Sequence, residues 1–544
     1  MKTNHLFIVL ALFGVMLLAS CSSKASPGSE VPDGAQAGEL SALEKCEYQP
    51  ANSNTKYIAE CGTLVVPENW DKVGSRLIAL PVVRIPASGP NPAEPVFWLE
   101  GGPGGPNLVW APPAWLLEKH AVVMVGYRGV EGTVTLSCPE VGRLLKTHAG
   151  KDVFSTQADL EYVTAVNQCA ATLQEAGVDL SGYTVPGVVE DMEAARIALG
   201  YQRIDLFSES YGTRVAQIYA YMHPDSLHRL VLIGVNTPGH FIYDPVVLDE
   251  MVGHLSKLCA QDVACSSRTS DFAQTMYDIN HNMPERWLLF SIDPDTVRLG
   301  THFLFFSDAT MPMIFDAYLA AAEGDPSGLA MVNLLTSMMM PADQVIFGDQ
   351  FSKGGTADLE KYAGSDSVSL GNSIMGAPLS EMVWPMAKEW PIELIPKDLR
   401  EFQESDVEML LINGTVDFST PPTALDESKP YFHKAQMVLL PEFSHVDDVY
   451  ALQPDAFERL ITSYYDTGVA DDSLYVYQPL SFQPRISVTV IAKLVVAAMI
   501  VLPALLILGV VLVVRRIRIR RTIKKSNSLE ADRSEDMESQ RSKS

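Results

Sequence analysis

Three side chains far apart in the chain, Ser210, Asp417 and His445, have the types and the order needed for nucleophilic acyl chemistry. A serine hydroxyl is a weak nucleophile until an imidazole takes its proton, and the imidazole needs an acid to orient it. Ser210 stands in IDLFSESYGTRVAQIYAYM, between a β-rich run and an amphipathic helical run, with Ser208 at −2 and Gly212 at +2. Small residues flank a nucleophile elbow because strand and helix backbones pass closely there; Ser208 replaces the usual glycine. Alone, a serine at a strand-to-helix junction is more often a helix cap. The partners decide the reading. Asp417 follows VEMLLING (407–414) and His445 follows QMVLLP (436–441), so both are expected just beyond strand ends, in the order serine, acid, histidine. Asp426 and His433 fall between those two strands and are weaker candidates.

A third feature is the glycine-rich FWLEGGPGGPN at 97–107. Such a loop after an early strand leaves backbone N–H groups free for a developing oxyanion, and Gly102 with Tyr211 would supply them. Without the triad, the same glycines and prolines would read as a turn.

These residues need a frame. Runs at 63–67, 77–85, 95–100, 121–127, 203–208 and 229–234 read as strands, with helical stretches at 160–175, 188–199 and 211–222 among them. Strands alternating with helices predict an α/β fold with a mostly parallel central sheet flanked by helices. After Asn236 the rhythm stops, and it resumes at 407–414 and 436–441. The expected organisation is a core in two parts, 46–236 and 401–480, split by a helical, Met-rich cap insertion at 237–400. Such a cap would cover the carboxyl edge of the sheet, where α/β folds bind ligands.

Both ends point to a membrane. Lys2, the apolar run Leu6–Leu18 and the closing L-A-S-C predict a signal peptide over 1–20 of lipoprotein type, with Cys21 as the lipidated residue. A flexible Ser/Gly/Pro-rich spacer is expected over 21–45. Near the other end Leu494–Val514 is uninterruptedly apolar for 21 residues, within a predicted transmembrane helix at 486–514. Lys493 is expected to snorkel to the interface. Arg515, Arg516, Arg518, Arg520, Arg521, Lys524 and Lys525 follow, which by the positive-inside rule places 515–544 in the cytoplasm and everything before the span outside. From about Ser526 the tail reads as disordered.

Six cysteines besides Cys21 suit an exported chain: Cys46, Cys61, Cys138, Cys169, Cys259 and Cys265, with proximity favouring pairs 46–61, 138–169 and 259–265. No Cys/His group has zinc-like spacing, so neither metal nor cofactor is expected. The net charge of −26, with seven of the cations crowded into Arg515–Lys525 so that the rest of the chain is more acidic still, excludes a nucleic-acid partner.

GGPGG after a strand, GYRGVEG at 126–132, SESYGT at 208–213, NGTVDFSTPP at 413–422 and the late His445 together resemble the proline iminopeptidase and tripeptidyl-aminopeptidase group of α/β-hydrolases. CGTLVVPENW and DMEAARIALGYQRIDLFSESYGTR resemble its secreted members, and the similarity runs from Cys46 to about Thr467. The resemblance implies hydrolysis near the free N-terminus of peptides through an acyl-enzyme. It also implies acidic groups for the substrate's ammonium: Glu209 is one candidate, with a structural carboxylate as the alternative, and Asp308, Asp316 and Glu323 of the cap are others. A membrane-bound esterase or other acyl hydrolase of the same fold is the competing expectation, ahead of a catalytically silent binding protein. The expected partners are a peptide or small acyl substrate and the membrane.

Overall fold

The computed structural model describes residues 30–541 apart from 52, 341–344 and 363–367; Cys21 and the predicted signal peptide lie outside the described residues. Its strands are β1 (Glu44–Tyr48), β2 (Tyr57–Pro67), β3 (Leu77–Ile85), β4 (Val96–Leu99), β5 (Val122–Val125), β6 (Ile204–Glu209), β7 (Leu227–Ile233), β8 (Arg286–Trp287), β9 (Phe290–Ser291), β10 (Glu408–Gly414) and β11 (Ala435–Leu440). All but the β8–β9 hairpin form one sheet in the order β1-β2-β3-β5-β4-β6-β7-β10-β11. The β1–β2, β2–β3 and β3–β5 pairs are antiparallel and the rest parallel, which is the mostly parallel sheet the alternating pattern predicts.

The sheet is buried on both faces because its strands carry apolar residues at odd and even positions alike. In β4, Phe97 and Leu99 join one core cluster while Val96 and Trp98 join the other. The first strand was not legible in the sequence: EKCEY is polar and lies at the edge of the sheet. It is held by antiparallel pairing with β2 and by the Cys46–Cys61 disulfide, which crosses that pair. Part of the predicted spacer also lies along β2, where the N–H groups of Gly38 and Ser41 bond the carbonyls of Val65 and Thr63. Two more disulfides join Cys138 to Cys169 and Cys259 to Cys265.

Between β7 and β10 the chain builds the expected helical insertion. Its own core gathers Leu255, Phe272, Phe315, Tyr318, Leu329 and Val332. Helix α1 (Tyr211–Met222) follows β6 in the core, and helices α2 (Met311–Ala322) and α3 (Ser327–Met339) belong to the insertion. Helix α4 (Val446–Ala451) follows β11, and the last helix, α5, runs over Val488–Arg541. Within α5, Val488–Leu529 is long and apolar enough to cross a membrane. Its first turns, however, sit in the cap core, where Val488 and Ala492 are buried. Asp316 of α2 accepts from Ser487 Oγ (2.7 Å) and Thr489 N–H (3.2 Å), capping the start of α5. Lys493, expected to snorkel, has its Nζ 2.6 Å from Asp325 of the insertion. The tail expected to be disordered continues the helix to Arg541, in keeping with its wealth of Lys, Arg and Glu.

Candidate active site

Strand ends and the turns after them bring the chemistry together. Ser210 lies at the turn between β6 and α1 with φ 49° and ψ −121°, a conformation rare for a side-chain-bearing residue. The surroundings fix it: its N–H bonds the carbonyl of Ile233, and Thr213 N–H bonds its own carbonyl. The turn depends on Gly212, where a β carbon would lie 2.1 Å from the Leu99 carbonyl oxygen. Ser208 fits where glycine is usual because its hydroxyl turns into the sheet and donates to the Val231 carbonyl at 2.9 Å.

His445 caps the start of α4, and its Nδ1 is 2.8 Å from Asp417 Oδ2. Asp417 is buried and held from several sides. Its Oδ1 accepts the N–H groups of Ser419 (2.8 Å) and Thr420 (2.9 Å), and its Oδ2 accepts Thr420 Oγ1 (2.8 Å). Such a carboxylate is fixed as an acceptor for an imidazole N–H. The imidazole packs on Gly234, just past β7, where a β carbon would meet His445 Cε1 at 2.9 Å. Ser210 and His445 are thus both braced by the Ile233–Gly234 end of β7. Phe306 of the insertion accepts the His445 N–H at 3.2 Å and sets its ring 5.8 Å from the imidazole.

The glycine-rich loop lies beside the serine, and a β carbon on Gly101 would come within 3.2 Å of Ser210 Cβ. Gly102 and Ser210 line one cavity of about 100 Å³. Its other walls include Asn236 after β7, Ser419 and Thr420 after β10 and, from the insertion, the polar His240, Gln350 and Ser380 beside Phe241, Tyr243, Leu379, Val383 and Trp384. Tyr211 opens α1, so its N–H has no carbonyl one turn earlier and is available to a ligand.

Glu209 is engaged with protein groups. Tyr450 donates to its Oε2 at 2.8 Å, and its carboxyl also shares a hydrogen bond with Glu100. Burial, and then the Glu100 charge, push Glu209 well above the usual carboxylate range; burial also raises Glu100. Of the cap acids, Asp316 caps α5, Glu323 pairs with Arg268 (2.8 Å), and the backbone N–H of Asp308 bonds Asp448 (2.9 Å). Among the described residues Glu94, Asp205 and His228 lie close enough together to hold an ion. That group sits at the amino ends of β4, β6 and β7, away from Ser210, with His228 Nδ1 already 2.9 Å from Asp205 and Arg203 3.5 Å from Glu94. It reads as an ion-pair cluster.

Sequence reasoning missed Thr420, Glu100 and the aromatic and aliphatic wall of the cavity. The first had a signal: a hydroxyl three residues after an aspartate, as in DFST, is a local hydrogen-bonding pattern. Glu100 was visible as an acid closing an apolar run. The wall comes from separate parts of the insertion and had no local signature.

A family model described as alpha/beta hydrolase fold matches residues 94–309, which run from the start of β4 into the insertion. The chain has the α/β-hydrolase fold. Among curated proteins it is similar to a tripeptidyl aminopeptidase of Streptomyces lividans, 24% identical over 350 residues that cover 60% of this chain and 61% of that protein. It is similar also to serine protease Hip1 of Mycobacterium tuberculosis, 24% identical over 283 residues covering 47% of this chain and 51% of that one. A putative hydrolase, YuaR, of Escherichia coli is 28% identical over 193 residues, 32% of this chain and 36% of the relative. The match spans about three fifths of the length of the first of these relatives, 61%. Within the hydrolase fold, Ser210, Asp417 and His445 all lie beyond the carboxyl ends of strands of one sheet.

Proposed function

We propose that the chain is an extracytoplasmic, membrane-anchored serine hydrolase that removes residues or short peptides from the N-terminus of peptides. The observation that carries this reading is the Asp417–His445 hydrogen bond of 2.8 Å set beside a strained serine turn. Ser210 Oγ attacks the scissile carbonyl as His445 takes its proton, and Asp417 holds the imidazole and stabilises its charged form. The N–H groups of Gly102 and Tyr211 receive the oxyanion. The tetrahedral intermediate collapses to an acyl-Ser210 as His445 gives the proton to the leaving amine. Water then repeats the sequence and frees the acid. The curated relatives named as peptidases support the amide reading. The hydrogen-bonded Glu209 carboxyl favours the structural role over ammonium binding.

For topology, the apolar helix α5 and its basic flank Arg515–Lys525 support a span with the tail in the cytoplasm. The disulfides support an oxidising compartment for the rest. Lipidation at Cys21 would add a second anchor. Ser210→Ala is expected to abolish labelling by a fluorophosphonate while leaving the circular dichroism unchanged; persistent labelling removes the assignment. Aminoacyl- and tripeptidyl-arylamides set against p-nitrophenyl esters decide the substrate class. Leu379, Val383 and Trp384 in the cavity wall suit an apolar acyl group as the second reading, and activity on esters alone would establish it.

A further inference from the structure

The glycine-rich loop, the loop after β5 and the nucleophile turn all meet on one ion pair of the insertion. Asp349 and Lys353 are 2.7 Å apart, and both side chains are wholly buried. Lys353 lies in a π-helical turn, Phe351–Gly355, a widened form of helix found frequently at functional sites. Asp349 Oδ2 accepts the N–H of Gly104 at 3.1 Å. The N–H of Ile346 donates to the Gly104 carbonyl at 3.0 Å, so the insertion holds this glycine by both backbone groups. Gly104 has φ +88°, and a β carbon there would meet the Ile346 carbonyl oxygen at 3.0 Å. Lys353 Nζ donates to the carbonyl of Arg128, after β5, at 3.1 Å. The same ammonium lies 5.0 Å from the ring centre of Tyr127 and 6.0 Å from that of Tyr211.

A buried ion pair is a poor source of stability, because desolvation offsets most of the attraction. This one instead touches the loop that carries Gly102 and the residue that follows Ser210. We propose that Asp349 and Lys353 are positioning residues for the oxyanion hole, acting through Gly104 and Tyr211 to set the spacing of the Gly102 and Tyr211 N–H groups. The inference rests on the reading of Ser210 as nucleophile. It makes the insertion a part of the catalytic frame as well as a cover over it. An oxyanion donor must lie within about 2.7–3.1 Å of the developing charge, and removing one typically lowers kcat by about 10²–10³. A loop loosened but not removed should lose less. Because the oxyanion exists only at the transition state, the loss falls on kcat and leaves KM nearly unchanged.

Two double variants separate the hydrogen bond from the charges. Asp349→Asn/Lys353→Met keeps an acceptor for Gly104 and removes both charges. Asp349→Leu/Lys353→Met removes the acceptor at similar volume. With active sites counted by fluorophosphonate titration, kcat per site is expected to be at least about tenfold lower in the Leu variant than in the Asn variant, with KM within about threefold. A merely structural role changes the number of titrated sites and leaves kcat per site alone. Equal kcat per site in the two variants overturns the proposal. Should the Leu variant not fold, amide exchange in the unaltered protein decides: the Gly104 N–H should exchange as slowly as amides of the central strands, and exchange at the rate of an exposed loop overturns the proposal. A chain that does not react with the fluorophosphonate at all removes the nucleophile reading and this one with it. A reactive chain with equal variants removes this one alone.

Discussion

At the residue scale the site is governed by how completely each acid is satisfied. Asp417 accepts from two backbone N–H groups and the Thr420 hydroxyl, leaving it one task, the His445 Nδ1 proton. Thr420→Val removes a hydrogen bond to a charged group, worth about 1.5–3 kcal/mol. We expect kcat/KM on an arylamide to fall by about 10-fold or more, with Thr420→Ser restoring most of it. The Glu100–Glu209 pair behaves oppositely. Its carboxyls are raised above their usual range, so the folded chain binds more protons than the unfolded chain at any pH between the ordinary carboxyl value and the raised one. Stability must then fall as pH rises through that window. Glu209→Gln should flatten this decline in a series of denaturation midpoints taken from about pH 5 upward. An unchanged slope would mean that the Glu209 carboxyl is not raised by its burial.

At the scale of elements, the end of β7 is the support on which serine and histidine are aligned. Gly234 has φ +62°, and its missing side chain leaves the space that the His445 ring fills. Gly234→Ala would strain the backbone by roughly 1–2 kcal/mol and drive a methyl against the imidazole. The expected result is a folded chain with a melting temperature within several degrees of the original and a loss of kcat of about 100-fold or more. A variant that keeps full kcat would show that the imidazole can be seated elsewhere. The Gly212 contact with Leu99 is less forgiving, since the obstacle there is backbone rather than a side chain.

At the scale of the whole molecule, the long apolar helix α5 begins as a piece of the cap. Val488 and Ala492 are buried in the cap core, Val495 packs against it, and Asp316 caps the first turn. The exposed Lys493–Asp325 pair adds little to this, as surface ion pairs do. Burying a valine contributes about 1.5–3 kcal/mol, so the docking should be measurable. A chain ended just before Val488 should melt several degrees below one ended after Val495, read by scanning calorimetry. Equal melting would mean that α5 rests on the cap without supporting it. Because no loop intervenes between the buried turns and the apolar stretch, the cap and not the central sheet is the part of the molecule set directly on this helix.

Much of this was legible in the sequence, for physical reasons. Strands buried on both faces are apolar runs, so β3, β4, β5, β6, β7, β10 and β11 stood out, and with them the strand-end positions of Ser210, Asp417 and His445. A long apolar helix announces itself by length and hydropathy, as Leu494–Val514 did. What the sequence could not carry were relations between segments that depend on packing. The edge strand β1 is polar and exists only because β2 and a disulfide hold it. Asp349 and Lys353 read as ordinary charges until burial places them against Gly104 and Tyr211. Glu209 beside a nucleophile suits a binding carboxylate or a structural one, and only the contacts with Tyr450 and Glu100 distinguish the two. Local chemistry singled out Ser210, Asp417 and His445 as candidates, while the tertiary structure decided which backbone groups face them, because a hydrogen bond across distant segments leaves no periodic trace in either one.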